Sequence, residues 1–207
     1  MRSEARQRQI LACAKRVFAE RGFHAANVSH ICEAAGIGRG TLYQYFANKH
    51  SVLTAILRET LERVRALMET MSRETAYPPA QTTTRAIAIK VSTKQLRRLL
   101  AVVFDDGDTL RILLREAVGL DAQVEKILGE IDDALISIVE RDLVRAQQAG
   151  FVRDCDPHLA AMMIVGGVEK LGLAALRSSA PVDLDKLAHE ATTMHAIGIM
   201  SDRLKPE

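Results

Sequence analysis

The run Gly38-Arg39-Gly40-Thr41-Leu42-Tyr43-Gln44-Tyr45-Phe46 concentrates side chains that recognise nucleic acid. On a helix of 3.6 residues per turn, Leu42 and Phe46 share one face and leave Arg39, Gly40, Thr41, Tyr43 and Gln44 on the other. Arg39 can donate two hydrogen bonds to a guanine edge or pair with a phosphate, and Gln44 can bridge an adenine. Gly40 has no Cβ and lets a duplex approach the backbone. Thr41 offers a methyl to thymine or a hydroxyl to phosphate, and the hydroxyls of Tyr43 and Tyr45 suit phosphate oxygens. Lys49 and His50 follow at the start of another helix, where amide donors and positive charge clamp an anionic backbone. Asn27 and Ser29, opening the preceding helix, complete the candidate DNA-facing set. A solvated surface helix carries similar residues, so the surrounding elements have to decide between the two readings.

Those elements are helical. Prolines occur only at 78, 79, 157, 181 and 206, so the first 77 residues lack the strongest helix breaker. Ile10, Ala14, Val17 and Phe18 recur at helical spacing from about Ser3 to Arg21, and Gly22 stands where a left-handed cap belongs. Asn27 is the expected N-cap of a short second helix, with Val28, Ile31, Cys32 and Ala35 inward and Gly36 ending it. Only Gly36, Ile37 and Gly38 separate it from a third helix over Arg39 to Tyr45, a helix-turn-helix spacing. A long apolar stripe from Val52 to Met71 predicts the fourth helix. Beyond Pro78-Pro79, Ala86 to Val91 alternates like a strand, but Leu96, Leu99, Leu100, Val103 and Phe104 are helical in period and the segment is read as helix. Asp121 to Ala149 predicts another helix closed by Gly150. Asp156-Pro157 opens one to about Arg177, and Pro181 with Asp183 opens the last, to about Leu204. The expected fold is all-α, with about nine helices, a helix-turn-helix head over 1–50 and a helical body over 51–207.

Bulk charge conceals an asymmetry. The chain has 207 residues and a net charge of +2, but residues 1 to 60 hold nine Lys and Arg against four Glu, leaving the remainder at −3. A basic first quarter beside a mildly acidic body points to an anionic partner for the first alone. The longest apolar stretch is ten residues, Leu159 to Val168, half the roughly 20 that cross a bilayer. A cytoplasmic protein without membrane attachment is expected. Three widely spaced cysteines, Cys13, Cys32 and Cys155, fit reduced thiols rather than a disulfide framework or a zinc site.

The segments Gly22-Phe23-His24-Ala25-Ala26-Asn27-Val28, Ile31 to Ile37, and Gly40-Thr41-Leu42-Tyr43-Gln44-Tyr45-Phe46 with Lys49 resemble the DNA-binding head of the tetracycline-repressor (TetR) family of bacterial regulators. The resemblance covers about residues 8 to 55, and its most diagnostic stretch is Gly40 to Lys49. Two positions depart from the family pattern. Ala26 stands where the family often has Thr, so the cap falls to Asn27, and Gly38 replaces the Ser that commonly opens the recognition helix.

The resemblance implies a homodimer whose heads read half-sites of a palindromic operator. It implies a body with ligand pocket and dimer interface, and repression relieved when a small molecule alters the spacing of the heads, since major grooves recur every ~34 to 36 Å. An activator or a ligand-free regulator fits the same sequence. For the interface the last two helices offer Gly166, Gly167, Leu171, Ala174 and Ala175, with Met194, Ile197 and Gly198; the same residues also suit an intramolecular core. Met68, Phe104, Leu113, Met162 and Met163 are candidate pocket residues, with Arg111 or Arg115 holding an anionic end.

The competing class is a helical enzyme or small-molecule carrier with a vestigial head. No Gly-x-Ser-x-Gly, phosphate-cradling glycine loop or Gly-x-Gly-x-x-Gly is present to support it. His189-Glu190 lacks the second histidine of a zinc-protease motif, because position 193 is Thr and His195 falls on a different face. Neither cofactor nor metal is expected.

Overall fold

Helix ends follow from short polar side chains that satisfy the first amides. In the computed structural model, which describes residues 2–74, 84–104, 106–175, 177 and 183–199, α1 spans Arg2–Arg21, α2 Val28–Ala35, α3 Arg39–Tyr43 and α4 Lys49–Glu74. Then come α5 Arg85–Phe104, α6 Gly107–Arg111, a π-helical turn Ile112–Glu116, α7 Ala122–Gln148, α8 Pro157–Ala175 and α9 Leu184–Ile199. Asp121 Oδ1 accepts from the amides of Gln123 and Val124 at 2.9 and 3.0 Å, Asp156 from His158 and Leu159 at 2.9 and 3.1 Å, and Asp183 from Asp185 and Lys186 at 3.1 and 3.0 Å. Each such cap stabilises its helix by about 1 kcal/mol. Asn48 caps α4 in the same way, its Oδ1 accepting from the Ser51 amide at 2.8 Å while its own amide donates to Ser51 Oγ at 3.1 Å.

The expected helices are present, with two differences among the described residues. α3 ends at Tyr43 rather than Tyr45, because the Tyr45 amide bonds the Leu42 carbonyl three residues back and tightens the last turn. Residues 106–116, in which no helix was read, form α6 and the π-helical turn; Asp106 opens α6 by accepting from the Thr109 amide at 3.0 Å. The strand-like alternation at Ala86 to Val91 lies within α5. The segment around Pro78-Pro79, Pro181 and the expected helix end near Leu204 lie outside the described residues.

Packing divides the chain into two compact units, Met1–Glu62 with Asp106–Ile131, and Arg63–Asp105 with Asp132–Glu207. The unit that contains the head is thus larger than the first 50 residues. It adds the start of α4, the segment from Asp106 and the beginning of α7. Its buried residues include Ile10, Ala14, Phe18, Ile31, Leu42, Phe46, Leu53, Ile56 and Ile112. In the second unit, Val64, Met71, Leu99 and Ile138 form a core with Leu67, Leu96, Ala134, Leu135 and Val139 against it, and α5 packs along α9. Arg97 Nε donates to Asp185 Oδ1 at 3.2 Å across that pair. Ala88, Ala146 and Phe151 make a smaller cluster. Cys32 is buried, and Cys13 and Cys155 are half-buried free thiols. Among the described residues no helix is long and apolar enough to cross a membrane.

Candidate nucleic-acid interface

Burial sorts the recognition segment as its periodicity demands. Leu42 and Phe46 point inward at 0% and 5% exposure, whereas Arg39, Gly40, Tyr43 and Gln44 are exposed and Thr41 is half-buried. Arg39 and Tyr43, four residues apart, lie on one stripe. Arg39 is also oriented, since its Nη2 donates to Ser29 Oγ at 2.5 Å and ties the start of α3 to the first turn of α2. A Cβ at Gly38 or Gly40 would meet no atom within 4 Å. The fold therefore does not require glycine at Gly40, where it costs a helix about 1 kcal/mol relative to alanine.

Asn27 caps α2 as expected, its Oδ1 accepting from the His30 amide at 3.0 Å. The reciprocal bond runs from the Asn27 amide to His30 Nδ1 at 3.3 Å, so histidine completes a capping box that usually ends in Glu or Gln. The three-residue spacing of Asn27 and His30 carried that signal in the sequence. Gly36, at φ 63°, ends α2 in the left-handed conformation.

Three of the expected DNA-facing residues are used differently. Lys49 points inward: its Nζ donates to the carbonyls of Phe23, Ala26 and His24 at 2.8, 2.9 and 3.1 Å and lies 4.6 Å from the centroid of the Phe23 ring. An ammonium has three donors, and all are committed to the α1–α2 loop, so Lys49 stiffens the head rather than clamping phosphate. His50 Nε2 pairs with Asp121 Oδ2 at 2.6 Å. The Val124 amide and the His50 ring hold the Asp121 carboxyl below its usual range. Tyr45 is half-buried and lines a groove with Glu4, Gln7 and Arg8 instead of sharing the Arg39–Tyr43 stripe.

The same compact unit braces the α1–α2 loop from a second side. Glu116 Oε2, in the π-helical turn, accepts from the Phe23 amide at 3.0 Å and lies 3.1 Å from where a Cβ on Gly22 would sit. Gly22 has φ 78°, so both conformation and space favour glycine there. Lys15 pairs with Asp106 at 3.4 Å. Burial pushes the Asp106 carboxyl up, but the hydroxyl and amide of Thr109 together with Lys15 outweigh it and hold the group below its usual value. Nothing in the sequence signalled these braces, which join residues about ninety positions apart.

The candidate pocket residues are divided between the two units. Arg111, Leu113 and Arg115 belong to the first unit, and Phe104, Met162 and Met163 to the second. Leu113 is buried and Phe104 and Arg111 are half-buried; Arg111 caps the end of α6 electrostatically and opposes the upward shift that burial imposes on Asp108. Arg115 is exposed, as are Met162 and Met163 at 47% and 74%. Side chains that open to solvent do not wall an apolar cavity, which corrects the expectation for these three. The Met68 side chain lies outside the described residues.

Met163 instead continues a stripe along α8 with Leu159, Gly166, Gly167 and Ala174, all exposed, beside exposed Leu171. Ala161 and Val165 are the inward positions of that helix. Cβ atoms at Gly166 and Gly167 would meet nothing within 4 Å. On α9 Met194 is 74% exposed, while the side chains of Ala175, Ile197 and Gly198 lie outside the described residues.

Residues 10–56 match the family described as bacterial regulatory proteins, tetR family. Over 192 residues the chain is 25% identical to the fatty acid metabolism regulator protein of Bacillus subtilis, covering 92% of this chain and 94% of that one. Over 209 residues it is 26% identical to the HTH-type transcriptional activator FasR of Mycolicibacterium smegmatis, covering 96% and 84%. The fold matches the solved structure of the FadR regulator of Bacillus subtilis in complex with stearoyl-CoA, with a TM-score of 0.74, 23% identity and coverage of 92% and 98%. With its exposed recognition helix, glycine-stopped second helix and lysine-braced loop in the register of that match, the chain carries a tetR-family DNA-binding head over residues 10–56 and is a DNA-binding transcriptional regulator.

Proposed function

We propose that the protein acts in the cytoplasm as a homodimeric repressor of a palindromic operator, released by a small-molecule effector. The observation that carries the reading is the α3 face, on which Arg39, Gly40, Tyr43 and Gln44 are exposed and serve no described intramolecular purpose beyond the Arg39 link to Ser29. Residues 1–50 supply DNA recognition and 51–207 effector binding and dimerisation. The exposed α8 stripe and Met194 of α9 are the proposed dimer face, since exposed large apolar side chains of this kind favour association.

For the effector class we propose a long-chain acyl thioester. The Bacillus subtilis relative is named for fatty acid metabolism, and the matching FadR structure holds stearoyl-CoA. The aliphatic packing of Val64, Leu67, Met71, Leu96, Leu99 and Ile138 in the second unit suits an alkyl chain, which dispersion contacts would hold without hydrogen bonds. The relative named an activator favours a second reading in which the bound protein recruits rather than blocks transcription.

The test is a binding titration with duplexes selected from a random library, repeated with stearoyl-CoA and with free stearate. Steep salt dependence, sequence preference and release by stearoyl-CoA support the proposal. Absence of salt-sensitive duplex binding overturns it in favour of a carrier or enzyme. Binding that stearoyl-CoA leaves unchanged removes the effector assignment alone, and a reporter promoter distinguishes repression from activation.

A further inference from the structure

The recognition helix does not account for all of the exposed cationic surface of the head. Residues 3 to 9 of α1 are all exposed, and Ile10 is its first buried position. Two contacts orient these leading turns. Cys13 Sγ donates to the Ala34 carbonyl at 3.3 Å, and one turn earlier Gln9 Nε2 donates to the Ala35 carbonyl at 3.0 Å. Arg6 comes next on that stripe, and its Nη1 donates to Gln9 Oε1 at 2.8 Å. Because a helix advances about 5.4 Å per turn, the stripe runs from the last turn of α2 toward the Gly36-Ile37-Gly38 turn that leads into Arg39. The Gln9 carboxamide works at both ends, anchoring itself on α2 and orienting the guanidinium. A Cβ at Gly36, Gly38 or Gly40 would meet no atom within 4 Å, and all three glycines are exposed.

We propose that Arg6 is a further DNA contact: held by Gln9 beside the helix-turn-helix turn, its guanidinium takes a backbone phosphate adjoining the bases that α3 reads. The inference rests on the reading of α3 as the recognition helix. A guanidinium fork matches phosphate geometry and stays charged at every working pH. Contacts of this kind fix register on the duplex without selecting sequence. Gln9 is a positioning residue.

The full-length protein is titrated with a library-selected duplex and with a scrambled one across about 50 to 200 mM salt, a range in which each lost phosphate contact removes about 0.9 from the log-log slope. Arg6→Ala is expected to lower the slope by about 0.9 per head and to weaken both duplexes by a similar factor, roughly tenfold, with circular dichroism unchanged. Arg6→Lys is expected to keep the slope, because the charge remains. Arg8→Ala removes the same charge from a different stripe, in the groove that Glu4 and Glu59 also line, and is expected to leave the slope near wild type. An Arg6→Ala slope equal to wild type, or an equal fall in Arg8→Ala, overturns the contact while leaving the α3 reading intact. Wild-type protein without salt-sensitive binding overturns both.

Discussion

Two exposed helix faces of this protein, on α3 and on α8, differ in kind. On α3 the open residues are Arg39, Gly40, Tyr43 and Gln44, rich in hydrogen-bonding groups and pre-aimed by the bond from Arg39 to Ser29. On α8 they are Leu159, Met163, Gly166, Gly167 and Ala174, apolar apart from exposed Lys170 between the glycines and Ala174. Water solvates the first at little cost, so its exposure is stable in a free monomer. The second keeps apolar area in water at roughly 25 cal/mol per Å², an incentive to meet a similar surface. Exposure alone therefore does not define a site; the chemistry of the exposed atoms selects the partner, and the proposed function assigns a polyanion to one face and a second copy to the other.

The largest effect is expected from Arg39→Ala combined with Tyr43→Ala. Losing one guanine-reading fork and one phosphate hydroxyl in each head should weaken operator binding by about a thousandfold or more, while helicity and sedimentation stay unchanged. Fluorescence anisotropy measures this, and wild-type affinity in the double variant would end the assignment of α3. Met163→Glu attacks the other face. Placing a carboxylate on the α8 stripe should raise the dimer dissociation constant about a hundredfold in analytical ultracentrifugation, whereas a monomeric wild type, or a dimer indifferent to the change, would remove α8 from the interface.

A third variant separates bracing from reading. Lys49→Ala strips three loop carbonyls of their donor and should reduce unfolding free energy by about 2 kcal/mol in urea, a loss that Arg39→Ala should not show. Equal stability of Lys49→Ala and wild type would return Lys49 to the list of candidate phosphate contacts.

The smallest effect concerns His158, whose Nδ1 lies 2.9 Å from Glu140 Oε2 at the start of α8. The hydrogen bond to Glu140 raises the His158 pKa above its usual 6.5, with the charges of Glu140, Asp156 and Asp133 adding to the rise. A group whose folded-state value is raised stabilises the fold fully below its unfolded value and ceases to do so as pH climbs through the folded one. Urea midpoints should therefore fall slightly from below pH 6.5 upward, and His158→Gln should flatten that trend. A midpoint that instead rises through this window in wild type alone would reverse the assignment.

The head was largely legible in the sequence because its determinants are local. Apolar spacing placed α1, α2 and the start of α3; Asn27 and Gly36 bounded α2 through their own side-chain and backbone preferences; and the inward pair Leu42 and Phe46 left the recognition face by subtraction. The errors fell where a long side chain had a choice. Lys49 reads as a phosphate clamp from its type and helix position, but nothing local reveals that three carbonyls of residues 23 to 26 lie within its reach. Met162 and Met163 read as pocket lining because methionine is apolar, yet which side of α8 turns inward depends on helices remote in the chain.

The sequence by itself determined the helical periods, most of their stops, the polar recognition flank and the basic head, since each depends on residues a few positions apart. Only the tertiary structure decided that Lys49 and Glu116 grip the α1–α2 loop, that Gln9 reaches the Ala35 carbonyl, and that Leu159 and Met163 of α8 are left exposed. Those outcomes pair or separate groups tens of residues apart, and whether such groups meet is fixed by how the helices pack, which no local preference encodes.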